Sequence, residues 1–384
     1  MTGEGVALDN LVAEIAARAD EIEAARRLPA DLARELADAG LFRLLLPAAY
    51  GGLEVHPARM VEAIETVARA DGATAWCVMI GMTSAVTAAY MPAATAQEIY
   101  GANRHVIIGG VFAPLGRAAP TDDGYRVDGR WQWASGCQNC DWLMGGCVIL
   151  EDGKPRMLTN GLPDSRMMLF PAADVTIHDT WEASGLCGTG SHDIEVADLV
   201  VPSDRSVSII TDRPVETGPL YAFPVFGLLA IGVASVALGI AAGAVRDLAE
   251  LAAQKRPQMS RRVLAERASV QTDVARATAL LRSARAFLLE AIDAAWTAAS
   301  ADGAVPLVQR ADLRLAATNA TRSAADAVDL MYDAAGGSAV FRRSPLQRRF
   351  RDVHVATQHM MVAPATLSQI GRLQLGLETD TAML

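Results

Sequence analysis

Tyr125-Arg-Val-Asp-Gly-Arg-Trp-Gln-Trp133 alternates apolar and polar residues around an Asp-Gly pair. Alternation with a period of two marks a half-buried strand, and Asp-Gly is a strong hairpin signal, so the stretch predicts a β-hairpin turning at Asp128-Gly129. Trp131 and Trp133, with Trp142 beyond them, are expected in the core of the β unit. Further strand-like runs follow at 142–150, 167–170, 175–181 and 194–202, which gives a compact β unit in the middle of the chain.

Outward from this unit the period becomes helical on both sides. Upstream, Leu8, Leu11, Ile15 and Ile22 recur at helical spacing, a second helix opens near Pro29 and stops at Gly40, and helical patterns resume over 57–70 and after Asp71-Gly72. Downstream, leucines and alanines fill 228–300, Gly336 and Gly337 interrupt, and a final helix is expected to begin near Ser344-Pro345 and to include His359. The fold class is therefore α+β, with helices over 1–103, a β unit over 104–215 and a helical bundle over 216–384.

Bulk properties narrow the function classes. The 384 residues carry a net charge of −10, which argues against a nucleic-acid footprint. The arginines at 342, 343, 348, 349 and 351 are expected on a solvated or subunit-contacting face. Five cysteines and no recognisable signal peptide suggest a reducing cytoplasm, and the lone Cys137-Gln-Asn-Cys140 spacing, without a second pair, does not predict a metal. The uncharged run 225–245 is long enough to span a bilayer, but its Gly, Ala and Ser content suits a helix buried within protein, so no membrane segment is expected.

Several words in fixed order then point to a family. They are Asp38-Ala-Gly-Leu-Phe42, Tyr50-Gly-Gly52, Ala70-Asp-Gly72 with Ala75-Trp76, Thr180-Trp181, Gly185-Leu-Cys-Gly-Thr-Gly-Ser191, and Gly336-Gly337 before Arg351-Asp352. Together they resemble the acyl-CoA dehydrogenase superfamily over essentially the whole chain. That resemblance implies a helical N-terminal domain, a central β-barrel or sandwich domain and a C-terminal four-helix bundle, assembled as a homotetramer. It also implies a flavin, FMN or FAD, near Trp133, Ser135, Gly136, Trp181, Thr189, Gly190 and Ser191. Arg256, Gly336 and Gly337 are further cofactor-binding candidates.

The departure from the family's dehydrogenases is informative. Those enzymes place a catalytic glutamate shortly after the Arg-Asp word, and here no carboxylate occurs from 353 to 377. Breaking a weakly acidic C–H needs such a base. What stands there instead, Arg-Asp-Val-His and Gln-His at 351–359 with Trp-Gln-Trp-Ala-Ser-Gly at 131–136, is similar to the two-component flavin-dependent monooxygenases of the same fold. That branch implies reduced flavin (FADH2 or FMNH2) from a separate NAD(P)H-dependent reductase, O2, a C4a-hydroperoxyflavin, and hydroxylation of a small phenol- or indole-like molecule. In it His359 would accept the substrate proton and Ser135 would contact the flavin, the two catalytic candidates. The alternatives are an acyl-CoA dehydrogenase or oxidase with an atypical base, an N- or S-oxygenating enzyme, and a non-catalytic flavin protein. His354 is expected to be structural.

Overall fold

The computed structural model describes the backbone of residues 3–384 and side chains from Asp9 onward, so Leu8 lies outside the described side chains. The N-terminal layer contains α1 (Gly3–Ala17), α2 (Ala19–Ala25), α3 (Ala30–Asp38), α4 (Pro57–Ala70), α5 (Gly72–Ser84) and the short α6 (Ala93–Ala96). Asp71 separates α4 from α5 and caps the latter, its Oδ2 accepting the Thr74 N–H at 2.7 Å.

The middle of the chain forms one mixed eight-stranded sheet. Its strands are β1 (Ile108–Thr121), β2 (Gly124–Ala134), β3 (Trp142–Glu151), β4 (Lys154–Pro155), β5 (Ser165–Pro171), β6 (Thr176–His178), β7 (His192–Pro202) and β8 (Ser206–Val207). They run in the order β6-β7-β2-β1-β3-β5-β8, with β4 on the edge of β3 and β1 parallel to β3.

The predicted hairpin exists, but it turns elsewhere. Thr121 pairs with Gly124, so Asp122 and Asp123 make the turn, and Asp128-Gly129 lies inside β2. Gly129 is there for space: a Cβ on it would lie 2.6 Å from the Trp131 ring, and one on Gly145 would lie 2.5 Å away. Trp131 is fully buried in this glycine-walled slot, its indole N–H donating to the Gly146 carbonyl at 2.7 Å. Trp133 departs from its expected core position and is 64% exposed. Between Trp131 and Ala134 the β2–β7 register slips by one residue, a β-bulge that turns Trp133 outward at φ +67°.

The C-terminal layer comprises α7 (Pro219–Ala222), α8 (Val225–Gln254), α9 (Ala268–Asp302), α10 (Leu307–Ala335), α11 (Pro345–Ala356) and α12 (Pro364–Gln374). α8 is the central helix, packed on α4, α5, α10 and α11. Its small residues permit close approach; a Cβ on Gly232 would fall 2.6 Å from Met79 Cγ of α5. Among the described residues, two helical stretches are apolar enough to cross a membrane, 72–90 and 225–254, and both are mostly buried inside the fold.

The basic cluster near α11 faces inward more than expected. Arg349 is buried and pairs with Asp247 of α8, Arg348 pairs with Asp20 and Glu23 of α2, and Arg351 reaches Glu23 and the Ser184 carbonyl. These pairs hold α11 between α2 and α8. Arg342 and Arg343 remain at the surface.

Candidate functional site

The candidate residues Ser135, Ser191, Thr189 and His359 meet where α5, the end of β2, the loop before β7 and the turn after α11 converge. Ser135 follows β2 directly and is buried. Its Oγ accepts the indole N–H of Trp76 at 3.1 Å and lies 2.7 Å from Ser191 Oγ. Ser191 Oγ is in turn 2.6 Å from Thr189 Oγ1, which donates to the Leu186 carbonyl at 2.8 Å. The Gly136 N–H donates to the Thr189 carbonyl at 2.8 Å, so the β2 end and the 186–191 loop are joined through backbone as well as hydroxyls.

This loop is pinned from three directions. The buried Asp352 carboxylate accepts the Leu186 N–H at 2.6 Å. Trp181 Nε1 donates to the Leu186 carbonyl at 3.2 Å, and Arg26 donates to the Trp181 carbonyl at 3.0 Å. His192 Nδ1 accepts the N–H groups of Thr180 and Trp181 at 3.1 and 3.2 Å, which fixes its Nδ1 as an acceptor. Burial, then the neighbouring Asp71 charge, push the Asp352 carboxyl up to about 7.

His359 arrives from the other side. α11 stops at Ala356, and His359 caps a 3₁₀ turn over Met360–Val362, its Nδ1 accepting the Met361 N–H at 3.3 Å. The helix that the sequence suggested would be the last and would include His359 therefore ends before it, and a further helix, α12, follows. The break matters because Nδ1 is engaged as an acceptor, so a neutral ring carries its proton on Nε2. The ring packs edge-on against Trp76, with centroids 5.5 Å apart. Burial, then the Arg314 charge, push its imidazole down to about 4, so it is neutral at physiological pH.

Trp76 is thus the physical link between the two catalytic candidates: its N–H is on Ser135 and its ring is on His359. The sequence offered it only as part of a family word; its signal was an indole N–H inside an otherwise apolar helix, where a buried donor must find a partner. His354, by contrast, bonds Asp329 at 2.8 Å and packs on Phe350, a structural role.

The Cys137 and Cys140 thiols lie beneath the Ser135 turn, donating to the Gly190 and Gly136 carbonyls. Burial pushes Cys137 up to about 12 and Cys140 well above the ordinary thiol range, which disfavours thiolate redox chemistry.

The donor set suits a flavin ring. Trp133 presents an exposed indole two residues from Ser135 in a left-handed conformation that costs of order 1–3 kcal/mol for a non-glycine residue. A strained, solvent-facing tryptophan beside clustered hydroxyls offers a flat surface and polar groups to a planar heteroaromatic. Arg256, in the α8–α9 loop, donates to the Arg261 carbonyl at 2.8 Å, and Gly336 and Gly337 lie exposed at the end of α10. These three stand apart from the Ser135 cluster within one chain.

Comparison with known proteins bears on the fold and the family. Residues 7–98 match the family described as acyl-CoA dehydrogenase, N-terminal domain, and residues 231–364 match acyl-CoA dehydrogenase, C-terminal domain. An indole-3-acetate monooxygenase of Pseudomonas putida is 32% identical over 94% of this chain and 90% of its own length. The oxygenase subunit HsaA of a flavin-dependent monooxygenase from Rhodococcus jostii is 30% identical, over 92% of both chains. The structure of XiaF from a Streptomyces species, in complex with FADH2 and glycerol, superposes with a TM-score of 0.88 at 26% identity, covering 98% of this chain and 96% of that one. The chain belongs to the flavin-dependent monooxygenases built on the acyl-CoA dehydrogenase fold.

Proposed function

We propose that this oxygenase component hydroxylates a small phenol- or indole-like aromatic, with His359 as the base that takes the substrate proton. The observation that carries the reading is the convergence of His359 and Ser135 on the two ends of Trp76. Reduced flavin, when bound, would supply the two electrons that activate O2, from which the inserted oxygen atom comes. The protein's part is to position and protect.

His359 is neutral, and it can take a proton at Nε2 only in the tautomer that carries its own proton on Nδ1, which gives up the 3.3 Å contact with the Met361 N–H. A phenol or indole N–H that yields its proton becomes more electron-rich, and this assists attack on an electrophilic oxygen. Ser135, Gly136, Thr189, Gly190 and Ser191 would hold the flavin ring, with Trp133 and Trp181 beside it. Arg256, Gly336 and Gly337 would reach a cofactor only in an assembly, and we place them at the contacts of a homotetramer. A separate NAD(P)H-dependent reductase would deliver FADH2 or FMNH2 in the cytoplasm.

The dehydrogenase alternative lacks a base. The buried carboxylates are committed elsewhere: Glu65 to Arg285, Asp164 to Arg156, Asp193 to Arg130, Asp247 to Arg349, Asp71 to the start of α5 and Asp352 to Leu186. The test supplies reduced FMN or FAD and oxygenated buffer with a panel of phenols and indoles. Hydroxylated product is expected. Peroxide alone from every compound, or bleaching of protein-bound oxidised flavin by acyl-CoA thioesters without oxygen, would overturn the proposal.

A further inference from the structure

The turn that carries His359 is gripped from behind by a buried cation that faces no carboxylate. Arg314, on α10, is 3% exposed. Its Nε and Nη2 donate to the Met361 carbonyl at 3.3 and 3.0 Å, Nη1 donates to the Met383 carbonyl, and Nη2 lies 3.5 Å from Thr366 Oγ1. Every one of these partners is a neutral oxygen. One turn earlier, Arg310 donates to the Leu384 carbonyl at 2.8 Å and to the Thr381 carbonyl at 3.2 Å. Residues 381–384 are thereby strapped along α10, and Met383 closes over Arg314.

Burying an unpaired charge is costly, and a Met or Leu would occupy the same space without that cost. What the guanidinium provides is a planar fork on one particular carbonyl. Met361 is the residue whose N–H fixes His359 Nδ1, so the clamp and the imidazole share a single peptide neighbourhood.

We propose that Arg314 is a positioning residue for His359: by holding the Met361 carbonyl it locks the 359–362 turn and, with it, the place of the imidazole against Trp76. The proposal rests on the reading of His359 as the base. It deepens that reading by assigning the residue that sets the base's position, and the Arg314 charge adds to burial in disfavouring protonation of the ring.

The surrounding charges support the assignment. The elements against this turn are α5, α8 and α10. α5 brings Trp76 and the Cys77 thiol, which is turned toward the Thr189 carbonyl. α8 brings no charged residue between 225 and 245, and α10 brings Arg314. On the adjoining helix, His354 is engaged by Asp329 and Asp352 by Leu186. Arg314 is therefore the charge that acts on His359.

The test uses full-length protein with Arg314→Met, which removes charge and fork, and Arg314→Lys, which keeps the charge and loses the fork. Histidine ring titration is followed by NMR without flavin, with His359→Asn to assign the signal, and coupling of reduced flavin to product is measured separately. The wild-type and Arg314→Lys rings are expected to titrate near 4, and the Arg314→Met ring at least one pH unit higher, a tenfold change in proton affinity. Both variants should lose coupling several-fold. An unmoved His359 titration in Arg314→Met, or full coupling in both variants, overturns the proposal. If Arg314→Met does not fold, Arg314→Lys decides alone: retained coupling with unchanged ring tautomer shifts refutes the clamp. Full coupling in His359→Asn would instead refute His359 as the base, while the titration would still judge the hold of Arg314 on the ring.

Discussion

Replacing Asp352 by Asn should make the protein more stable at pH 8, with less than half of that gain left near pH 5. Asp352 is buried, its folded-state titration is pushed from 3.8 to about 7, and one oxygen accepts the Leu186 N–H. Between those two values the folded protein holds a proton that the unfolded chain has released, so stability rises as pH falls from 7 toward 4. Above 7 the carboxylate is charged in both states and the full penalty of burying it applies. A displacement of about three units at roughly 1.36 kcal/mol each makes that penalty about 4 kcal/mol. An asparagine removes the charge and keeps an oxygen for Leu186. Urea denaturation of both proteins at equal concentration, at pH 5 and pH 8, measures the difference. Asp352→Ala is the control; it also removes the charge but strands the Leu186 N–H, and should be less stable than Asp352→Asn by about 1–3 kcal/mol at both pH values. The reasoning fails if Asp352→Asn is less stable than wild type at pH 8, or if the two proteins differ equally at both pH values.

Other predictions concern the site and its supports. His359→Ala should lower product formation by about 10²–10⁴-fold, the range for loss of a general base, with little change in flavin affinity measured by fluorescence titration. Product formation in the wild type should fall as pH approaches 4, where the ring gains its proton and can no longer accept one. Trp133→Gly should relieve the left-handed backbone and raise stability by about 1 kcal/mol in thermal melts, yet weaken flavin binding. Gly145→Ala should destabilise by roughly 1–3 kcal/mol, because its methyl would collide with the Trp131 ring.

Much of the architecture was legible in the chain because helices and strands announce their periods. The errors arose where one local signal has two physical causes. Asp128-Gly129 looks like a hairpin turn, but the glycine answers to the Trp131 ring packed beneath it, a contact between β2 and itself that alternation does not reveal. Trp133 continues the alternation on paper, and only the one-residue slip against β7 turns it out. The helix read as including His359 has no breaker between Thr357 and Ala363; Pro364 was the available warning, several residues late. His359 and Ser135 were readable as candidates from their motif context. Trp76, Asp352 and Arg314 were not assigned roles, since each acts through a backbone or side-chain partner far away in sequence. Arg314 did leave a trace, an arginine set between Leu313 and Leu315 on a helix rich in alanine.

The hydroxyls beside Ser135 have a direction. Leu186 C=O at one end can only accept and the Trp76 indole at the other can only donate, so each proton between them has one place to go. Thr189 gives its proton to Leu186, Ser191 to Thr189 and Ser135 to Ser191, while Trp76 donates to Ser135. Ser135 therefore meets whatever lies beyond it with a lone pair and not a proton. That polarity is decided three residues away, at a carbonyl whose own N–H is held by Asp352.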